Sequence, residues 1–161
     1  MRTVAIIPAG GVGKRLGSSI AKQYLLLDGV PVLARTLKIF QQAKVIDEII
    51  LVVPEDDLIS VRKQLVDKYD LIKVTAIVAG GKERQDSVRN GLSAIIDRCD
   101  VVIIHDGVRP LLTEEMLNQV VAEAKSDGAS SIGMKVKDTV KQTTVTVKER
   151  IVAGIILSLA I

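Results

Sequence analysis

Aromatic side chains are scarce in this sequence. Phe, Tyr and Trp make up 2% of its 161 residues, and Trp is absent. Nucleic-acid surfaces rely on aromatic rings that stack on bases, and here the basic residues are scattered, so a net charge of +3 favours a small polyanionic ligand over nucleic acid. The core must be built from Val, Ile and Leu, and 48% hydrophobic content in a chain of this length is sufficient for one domain.

Cysteine and long apolar runs are scarce as well. The single Cys99 cannot form an internal disulfide and precedes a predicted strand, so we expect it to pack in a protein of a reducing, cytoplasmic compartment. The apolar runs that resemble strands are too short to cross a bilayer, and the first of them ends at Pro8 without a cleavage signature. We therefore expect no membrane segment and no signal peptide.

Short runs rich in Val and Ile alternate with amphipathic segments. The runs predict five strands, at residues 4–7, 49–53, 74–78, 101–104 and 132–136. Helical spacing predicts four helices, at residues 31–42, 58–69, 86–96 and 114–125. The alternation predicts a three-layer α/β fold with a mostly parallel sheet, in which Pro31 opens one helix and Thr113 caps another.

Polar and glycine-rich segments follow three of the predicted strands. They lie at residues 9–17, 80–87 and 105–110. Because the carboxyl ends of parallel strands share one edge of the sheet, and ligands collect there, these three segments are predicted to form one cleft.

The first of these segments reads Pro-Ala-Gly-Gly-Val-Gly-Lys-Arg-Leu-Gly over residues 8–17. Glycines let backbone amides approach a phosphate chain, and the cations neutralise its charge; a solvated glycine-rich turn is the alternative. The segment is not a Walker loop, because Pro8 and Arg15 stand where that motif needs Gly and Ser or Thr. Leu16 likewise replaces the third glycine of the dinucleotide fingerprint, so hydride chemistry is not expected.

Together with Lys22-Gln23-Tyr24-Leu25, this loop resembles a signature of the 2-C-methyl-D-erythritol 4-phosphate cytidylyltransferases. Residues 80–88, 105–110 and 138–141 resemble further signatures of that family, in the same order and at similar spacing. The resemblance implies a Rossmann-like nucleotidyltransferase fold of the nucleotide-diphospho-sugar transferase type. It also implies transfer of the cytidylyl group of CTP to methylerythritol phosphate, with release of pyrophosphate, in isoprenoid synthesis.

The resemblance implies roles for individual residues. Arg15 and Lys22 would stabilise the charged transition state, Asp106 would hold Mg²⁺, and Arg109 and Thr139 would face the polyol phosphate. Nucleotide binding is implied for Ala9, Gly10, Gly11, Gly13, Gly81, Lys82 and Ser87. The chemistry agrees, because a phosphate that attacks a triphosphate needs fixed cations and a metal rather than a protein nucleophile.

Four residues near these motifs need separate treatment. His105, the only histidine, precedes Asp106, but a phosphate dianion needs no general base and strand alternation turns the two side chains apart, so we expect a structural role. Glu83, Arg84 and Asp86 could bind ligand or could shape their loop and start a helix, and the sequence leaves both open.

The sequence departs from the family pattern in three places. Ala21 and Val108 stand where the family usually has Pro and Ala. Residues 151–161 are nearly all apolar and match no family segment, so the sequence predicts a cytidylyltransferase core, residues 1–150, incomplete at its C-terminus, followed by an aberrant tail left by truncation or frameshift.

Partners and alternatives follow from the same resemblance. In the family, the segment at 138–150 crosses to a second subunit, so a homodimer is expected. A ribitol-5-phosphate or other polyol-phosphate cytidylyltransferase is the nearest alternative. A non-catalytic nucleotide-binding or assembly module is the alternative from another class.

Overall fold

A parallel sheet of four strands forms the centre of the computed structural model, which describes residues 1–10 and 21–133. The strands are β1 (Thr3–Pro8), β4 (Glu48–Val53), β5 (Val74–Ala79) and β6 (Val101–Ile104), in the spatial order β5-β4-β1-β6. Four of the five predicted strands are thereby confirmed. The fifth, at 132–136, and the predictions for Gly11, Gly13, Arg15, Thr139 and the tail at 151–161 fall wholly or largely outside the described residues.

The strands form because their Val and Ile side chains can be buried on both faces of the sheet. Residues 4–7 of β1 have no solvent exposure, and Ile6 aligns with Ile50 of β4 on one side and Ile104 of β6 on the other. Continuous apolar runs of this kind are typical of parallel strands that helices cover on both faces.

A small antiparallel hairpin, β2 (Leu26–Leu27) and β3 (Val30–Pro31), lies outside the main sheet. Its two turn residues, Asp28 and Gly29, have φ of 52° and 71°. Positive φ at both turn positions suits a two-residue hairpin, and Asp-Gly is a preferred pair for it. The prediction that Pro31 opens a helix is therefore wrong by one residue, since Pro31 pairs in β3 and precedes the helix.

Four helices surround the sheet: α1 (Val32–Gln42), α2 (Leu58–Val61), α3 (Arg84–Ser93) and α4 (Glu114–Asp127). The helix predicted at 58–69 is correct in position, but its second half, Arg62–Asp67, is a π-helical turn. Thr113 caps α4 as predicted, with its hydroxyl oxygen accepting a hydrogen bond from the amide of Met116 at 3.3 Å. No helix among the described residues is long and apolar enough to span a membrane.

The helices cover both faces of the sheet, which confirms the three-layer arrangement. On one face, α1 and α4 pack on the sheet through a large cluster that includes Leu33, Phe40 and Leu117. On the other face, α3 packs through Val88 and Leu92 on a smaller cluster of strand residues. Both layers leave the carboxyl edge of the sheet open.

Candidate active site

A cavity of about 410 Å³ opens at the carboxyl edge of the sheet. Four separate segments contribute to it: the end of β1, a 3-10 turn at Lys22–Tyr24, the loop between β5 and α3, and the turn after β6. Of the residues predicted for the site, it brings together Ala9, Gly10, Lys22, Gly81, Lys82, Ser87 and Asp106. Lys22, Lys82 and Arg84 outnumber the carboxylates of Glu83 and Asp106 in the lining, so the cavity suits an anionic ligand.

The loop between β5 and α3 is closed by contacts that require a glycine. The amide of Gly81 donates to Ser87 Oγ at 3.1 Å, and that hydroxyl donates to the carbonyl of Glu83 at 3.3 Å. A Cβ added to Gly81 would lie 2.2 Å from the Cβ of Asp86. Any side chain at position 81 would therefore push the loop away from the start of α3.

The start of α3 decides between two roles that the sequence left open for Glu83 and Asp86. The amide of Glu83 donates to Asp86 Oδ2 at 3.0 Å, and Arg89 Nη1 lies 3.6 Å from the other carboxylate oxygen of Asp86. A carboxylate in the first helical turn satisfies free backbone amides and offsets the helix dipole. Asp86 thus shapes the loop and the helix start, whereas Glu83 also lines the cavity.

Asp106 binds two arginines at once. Its Oδ1 accepts from Arg84 Nε and Nη2 at 3.2 and 2.9 Å, and its Oδ2 lies 3.0 Å from Arg109 Nε. The turn is anchored beneath, because the amide of Gly107 donates to the carbonyl of Pro8 at 3.0 Å. This arrangement brings Arg109 next to the cavity and makes Arg84, which the sequence left open, a direct partner of the predicted metal ligand.

His105 lies beneath this turn rather than in the cavity. It is 4% exposed, its ring centroid lies 5.2 Å from that of Phe40, and its Nδ1 has no hydrogen-bond partner among the described residues. Burial lowers the pKa of His105 to about 4, so the ring is neutral at physiological pH. These contacts agree with the structural role expected for it.

The donor set around Asp106 fits Mg²⁺ only in company with a bound phosphate. Among residues 1–10 and 21–133, no three His, Cys, Asp or Glu side chains cluster closely enough to hold a metal ion. Mg²⁺ is commonly held by one or two carboxylates plus substrate phosphates, so a single strand-end aspartate is an adequate protein ligand. Oδ1 of Asp106 accepts two hydrogen bonds from Arg84, and Arg109 is the contact recorded for Oδ2 among the described residues, so Oδ2 retains capacity for a further ligand.

Lys22 lines the same cavity as the loop between β5 and α3. It is exposed and lies in the 3-10 turn, whose next residue, Gln23, is 1% exposed. The third residue, Tyr24, donates its hydroxyl to Asp57 Oδ2 at 2.6 Å. Neither this hydrogen bond nor the Arg84–Asp106 pair has a local sequence signal, because the partners lie 33 and 22 residues apart.

A parallel α/β sheet whose carboxyl edge carries a cation-lined cavity is an arrangement typical of the class of nucleotide-binding α/β proteins. The family of 2-C-methyl-D-erythritol 4-phosphate cytidylyltransferases matches residues 3–154 of this sequence. The chain belongs to that family, and the fold inferred from the resemblance is confirmed.

Relatives with the same family name support this assignment. The protein of Syntrophus aciditrophicus is 50% identical over 141 residues, which cover 88% of this chain and 60% of the relative. That of Geobacter metallireducens is 48% identical over 88% of this chain and 62% of its own length. The chain thus spans about three fifths of the length of these relatives.

Solved structures agree with the sequence relatives. The 4-diphosphocytidyl-2C-methyl-D-erythritol synthase of Anaerococcus prevotii superposes with a TM-score of 0.74 at 34% identity, over 88% of this chain and 59% of its own. The Francisella tularensis 2-C-methyl-D-erythritol 4-phosphate cytidylyltransferase superposes with a TM-score of 0.71 at 28% identity, over 99% of this chain and 66% of its own.

Proposed function

We propose that this chain transfers the cytidylyl group of CTP to 2-C-methyl-D-erythritol 4-phosphate and releases pyrophosphate. The proposal rests on one observation above all: three separate motif blocks of a cytidylyltransferase family member meet in one cavity with an excess of cations. The relatives named above carry the name of this activity.

The reaction joins two anions. A phosphate oxygen of the acceptor forms a bond to the α-phosphorus of CTP, and the bond between that phosphorus and the oxygen bridging to the β-phosphate breaks. Pyrophosphate leaves with the bonding electrons, so negative charge increases on the leaving group. Catalysis of such a step depends on positioned cations that stabilise the developing charge.

In this proposal Lys22 supplies that stabilisation from its turn, together with Arg15, which lies outside the described residues. The triphosphate would lie along Ala9, Gly10, Gly11 and Gly13. Of these four residues, Gly11 and Gly13 lie outside the described residues. The exposed side chain of Lys22 borders the cavity together with Ala9 and Gly10, and this shared lining supports the assignment.

The nucleoside half of CTP is assigned to the loop between β5 and α3. Cytosine and ribose would contact Gly81, Lys82 and Ser87. The hydroxyl of Ser87 is already engaged by Gly81 and Glu83, so its contribution is to hold the loop in shape for the base.

The acceptor phosphate and the metal are assigned to the turn after β6. Arg109 would contact the polyol phosphate, and so would Thr139, which lies outside the described residues. Asp106 would hold Mg²⁺, which neutralises triphosphate charge when it is bound. Because Arg84 and Arg109 both hold Asp106, the carboxylate is already oriented at the cavity edge.

The assembly and the location are also part of the proposal. The homodimer follows from the family resemblance of the segment at 138–150, which lies outside the described residues. A cytoplasmic location is supported by the single Cys99, which is a free thiol.

Pyrophosphate release tests the activity directly. Purified chain is mixed with CTP, Mg²⁺ and either methylerythritol phosphate or ribitol 5-phosphate, and the full-length Syntrophus relative is assayed in parallel. We expect release with methylerythritol phosphate and little with ribitol phosphate. Preferred use of ribitol phosphate would make the chain a different polyol-phosphate cytidylyltransferase, and CTP binding without release would make it a binding module.

The metal assignment has its own test. Calorimetric titration of CTP with and without Mg²⁺ should show Mg²⁺ tightening binding to the wild type, and Asp106→Asn should lose about tenfold of that affinity, the size of a charge-assisted contact. Asp56→Asn, at an exposed aspartate away from the cavity, is the matched control and should behave as wild type. An unchanged affinity in Asp106→Asn would remove this residue from the metal site.

A further inference from the structure

We propose that the hydrogen bond between Tyr24 and Asp57 positions Lys22 in the cavity, which makes Tyr24 and Asp57 positioning residues for the transfer. The catalytic role of Lys22 rests on the function proposed above. The position of Lys22 in the cavity is independent of that function, and the experiment below tests the role and the position separately.

The turn that carries Lys22 has little support of its own. It is a single 3-10 turn of three residues, entered from Ala21 in an extended conformation and with no side-chain cap. Its internal bonds are the amide of Tyr24 to the carbonyl of Ala21 at 2.9 Å and the amide of Leu25 to the carbonyl of Lys22 at 3.3 Å. Short 3-10 turns have poor hydrogen-bond geometry, so a fixed lysine requires support from outside the turn.

The two residues after Lys22 supply that support through their side chains. Gln23 is 1% exposed, so its side chain is buried in the protein. The hydroxyl of Tyr24 donates to Asp57 Oδ2 at 2.6 Å. Burial, and next the bond to Asp57, raise the pKa of Tyr24, so the hydroxyl keeps its proton and remains a donor at any physiological pH. A bond to a carboxylate is roughly twice as strong as one between neutral groups.

Asp57 is itself held by local hydrogen bonds just after a strand of the main sheet. It ends a 3-10 turn, Glu55–Asp57, that follows β4 after a single proline. Its amide donates to the carbonyl of Pro54 at 3.0 Å, and its carbonyl accepts from Ser60 Oγ at 3.0 Å. A continuous set of bonds therefore runs from the sheet edge through Asp57 and Tyr24 to the turn of Lys22.

Tyr24 can be altered without opening the core. Tyr24 and Asp57 border a second cavity of about 800 Å³, on the surface next to α2. Tyr24→Phe removes the hydroxyl and leaves the ring in place. Tyr69→Phe is the matched control, because Tyr69 is the only other tyrosine and its ring contacts Lys38 Nζ, 4.8 Å from the ring centroid.

Limited trypsin digestion measures opening of the turn that carries Lys22, and it does not depend on enzymatic activity. Trypsin cleaves after lysine, so the rate of cleavage between Lys22 and Gln23, followed by mass spectrometry under native conditions, measures how often the turn opens. Tyr24→Phe should raise that rate about tenfold, the factor that loss of a hydrogen bond to a charged group implies. Asp57→Ala should do the same. Asp57→Asn keeps a neutral acceptor, so it should raise the rate only about threefold, and Tyr69→Phe should stay near the wild-type rate.

Turnover supplies the second readout. Tyr24→Phe should lower turnover about tenfold and leave the KM for CTP within about twofold, and it should have no further effect when Lys22 is already alanine. Unchanged cleavage after Lys22 in Tyr24→Phe, or full additivity with Lys22→Ala, would overturn the proposal. If the wild type releases no pyrophosphate, the proposed function fails, and the cleavage rates still decide whether the bond positions Lys22.

Discussion

The two sides of the cavity are held in place by different means. The packed wall, formed by residues 80–87 and 105–109, is fixed by main-chain approach: Gly81 lies against Asp86, and a Cβ on Gly107 would lie 2.8 Å from Leu33 Cδ1. The lysine turn, Lys22–Tyr24, is held by one side-chain hydrogen bond, from Tyr24 to Asp57. The packed wall therefore depends on close packing, and the lysine turn depends on a polar contact between two side chains.

This difference predicts that the two sides of the cavity contribute differently to function. The packed wall leaves no room for a Cβ at Gly81 or Gly107, as a rigid binding surface would require. The lysine turn presents a cation on a long, exposed side chain. We therefore expect changes to the packed wall to affect binding and stability, and changes to the lysine turn to affect rate.

The largest expected effect comes from the lysine turn. Lys22→Ala should lower turnover by about a hundredfold or more, as when one oriented electrostatic donor is lost, because the interaction strengthens as charge moves to the leaving group. Lys82→Ala, which removes a cation from the packed wall, should instead weaken CTP binding. Steady-state kinetics checks both variants, and a raised KM with intact turnover in Lys22→Ala would reduce this residue to a ground-state phosphate anchor.

The packed wall should respond most to added volume. Gly81→Ala forces the loop away from Asp86 and should cost about 3 kcal/mol of unfolding free energy, at the upper end for overpacking. Urea denaturation measures the cost, and CTP affinity should fall with it. Gly133→Ala is the matched control, because a Cβ there meets no atom of the described residues within 4 Å. Equal stability of the two variants would show that the loop is not closely packed.

A smaller effect should come from the imidazole beneath the packed wall. The pKa of His105 is lowered by burial to about 4, whereas the unfolded chain titrates near 6.5. The unfolded state therefore binds the proton first, and stability falls as pH drops through this window. We expect a loss of about 2 kcal/mol between pH 7 and pH 5. Urea denaturation at both pH values measures the loss, and His105→Leu should flatten this part of the dependence; an equal slope in both proteins would place the titration elsewhere.

Much of the fold was predictable because it is encoded locally. The Val and Ile runs of β1, β4 and β6 are buried on both faces, so a continuous apolar run was a sufficient signal for each, whereas β5 is mostly only partly buried, with Thr75 exposed. The hairpin of β2 and β3 was not predicted, although Asp28-Gly29 is a turn signal, because strands of two residues show no alternation. α3 begins two residues earlier than predicted. Asp86 lies inside its first turn and accepts a hydrogen bond from the amide of Glu83, the residue just before the helix.

The site was predictable in its location but not in its contacts. The prediction of a parallel sheet, together with the chemistry of the segments that follow its strands, was sufficient to bring Ala9, Gly81 and Asp106 to one edge. The partners of Asp106 were not all predictable, because Arg84 lies 22 residues away, at the start of α3. The hydrogen bond between Tyr24 and Asp57 was not predictable for the same reason. The two residues lie 33 positions apart, and a contact between distant segments produces no recognisable spacing in the sequence.

Nucleotide selectivity tests the central claim most directly, because it requires both the cavity and the identity of its ligand. CTP, UTP, ATP and GTP are each titrated calorimetrically into this chain in the presence of Mg²⁺. We predict one CTP bound per chain, with an affinity at least about tenfold higher than that for ATP or GTP, equivalent to about 1.4 kcal/mol. Equal affinities for all four nucleotides, or CTP binding that persists unchanged in Gly81→Ala, would contradict the assignment of this cavity as a cytidine nucleotide site.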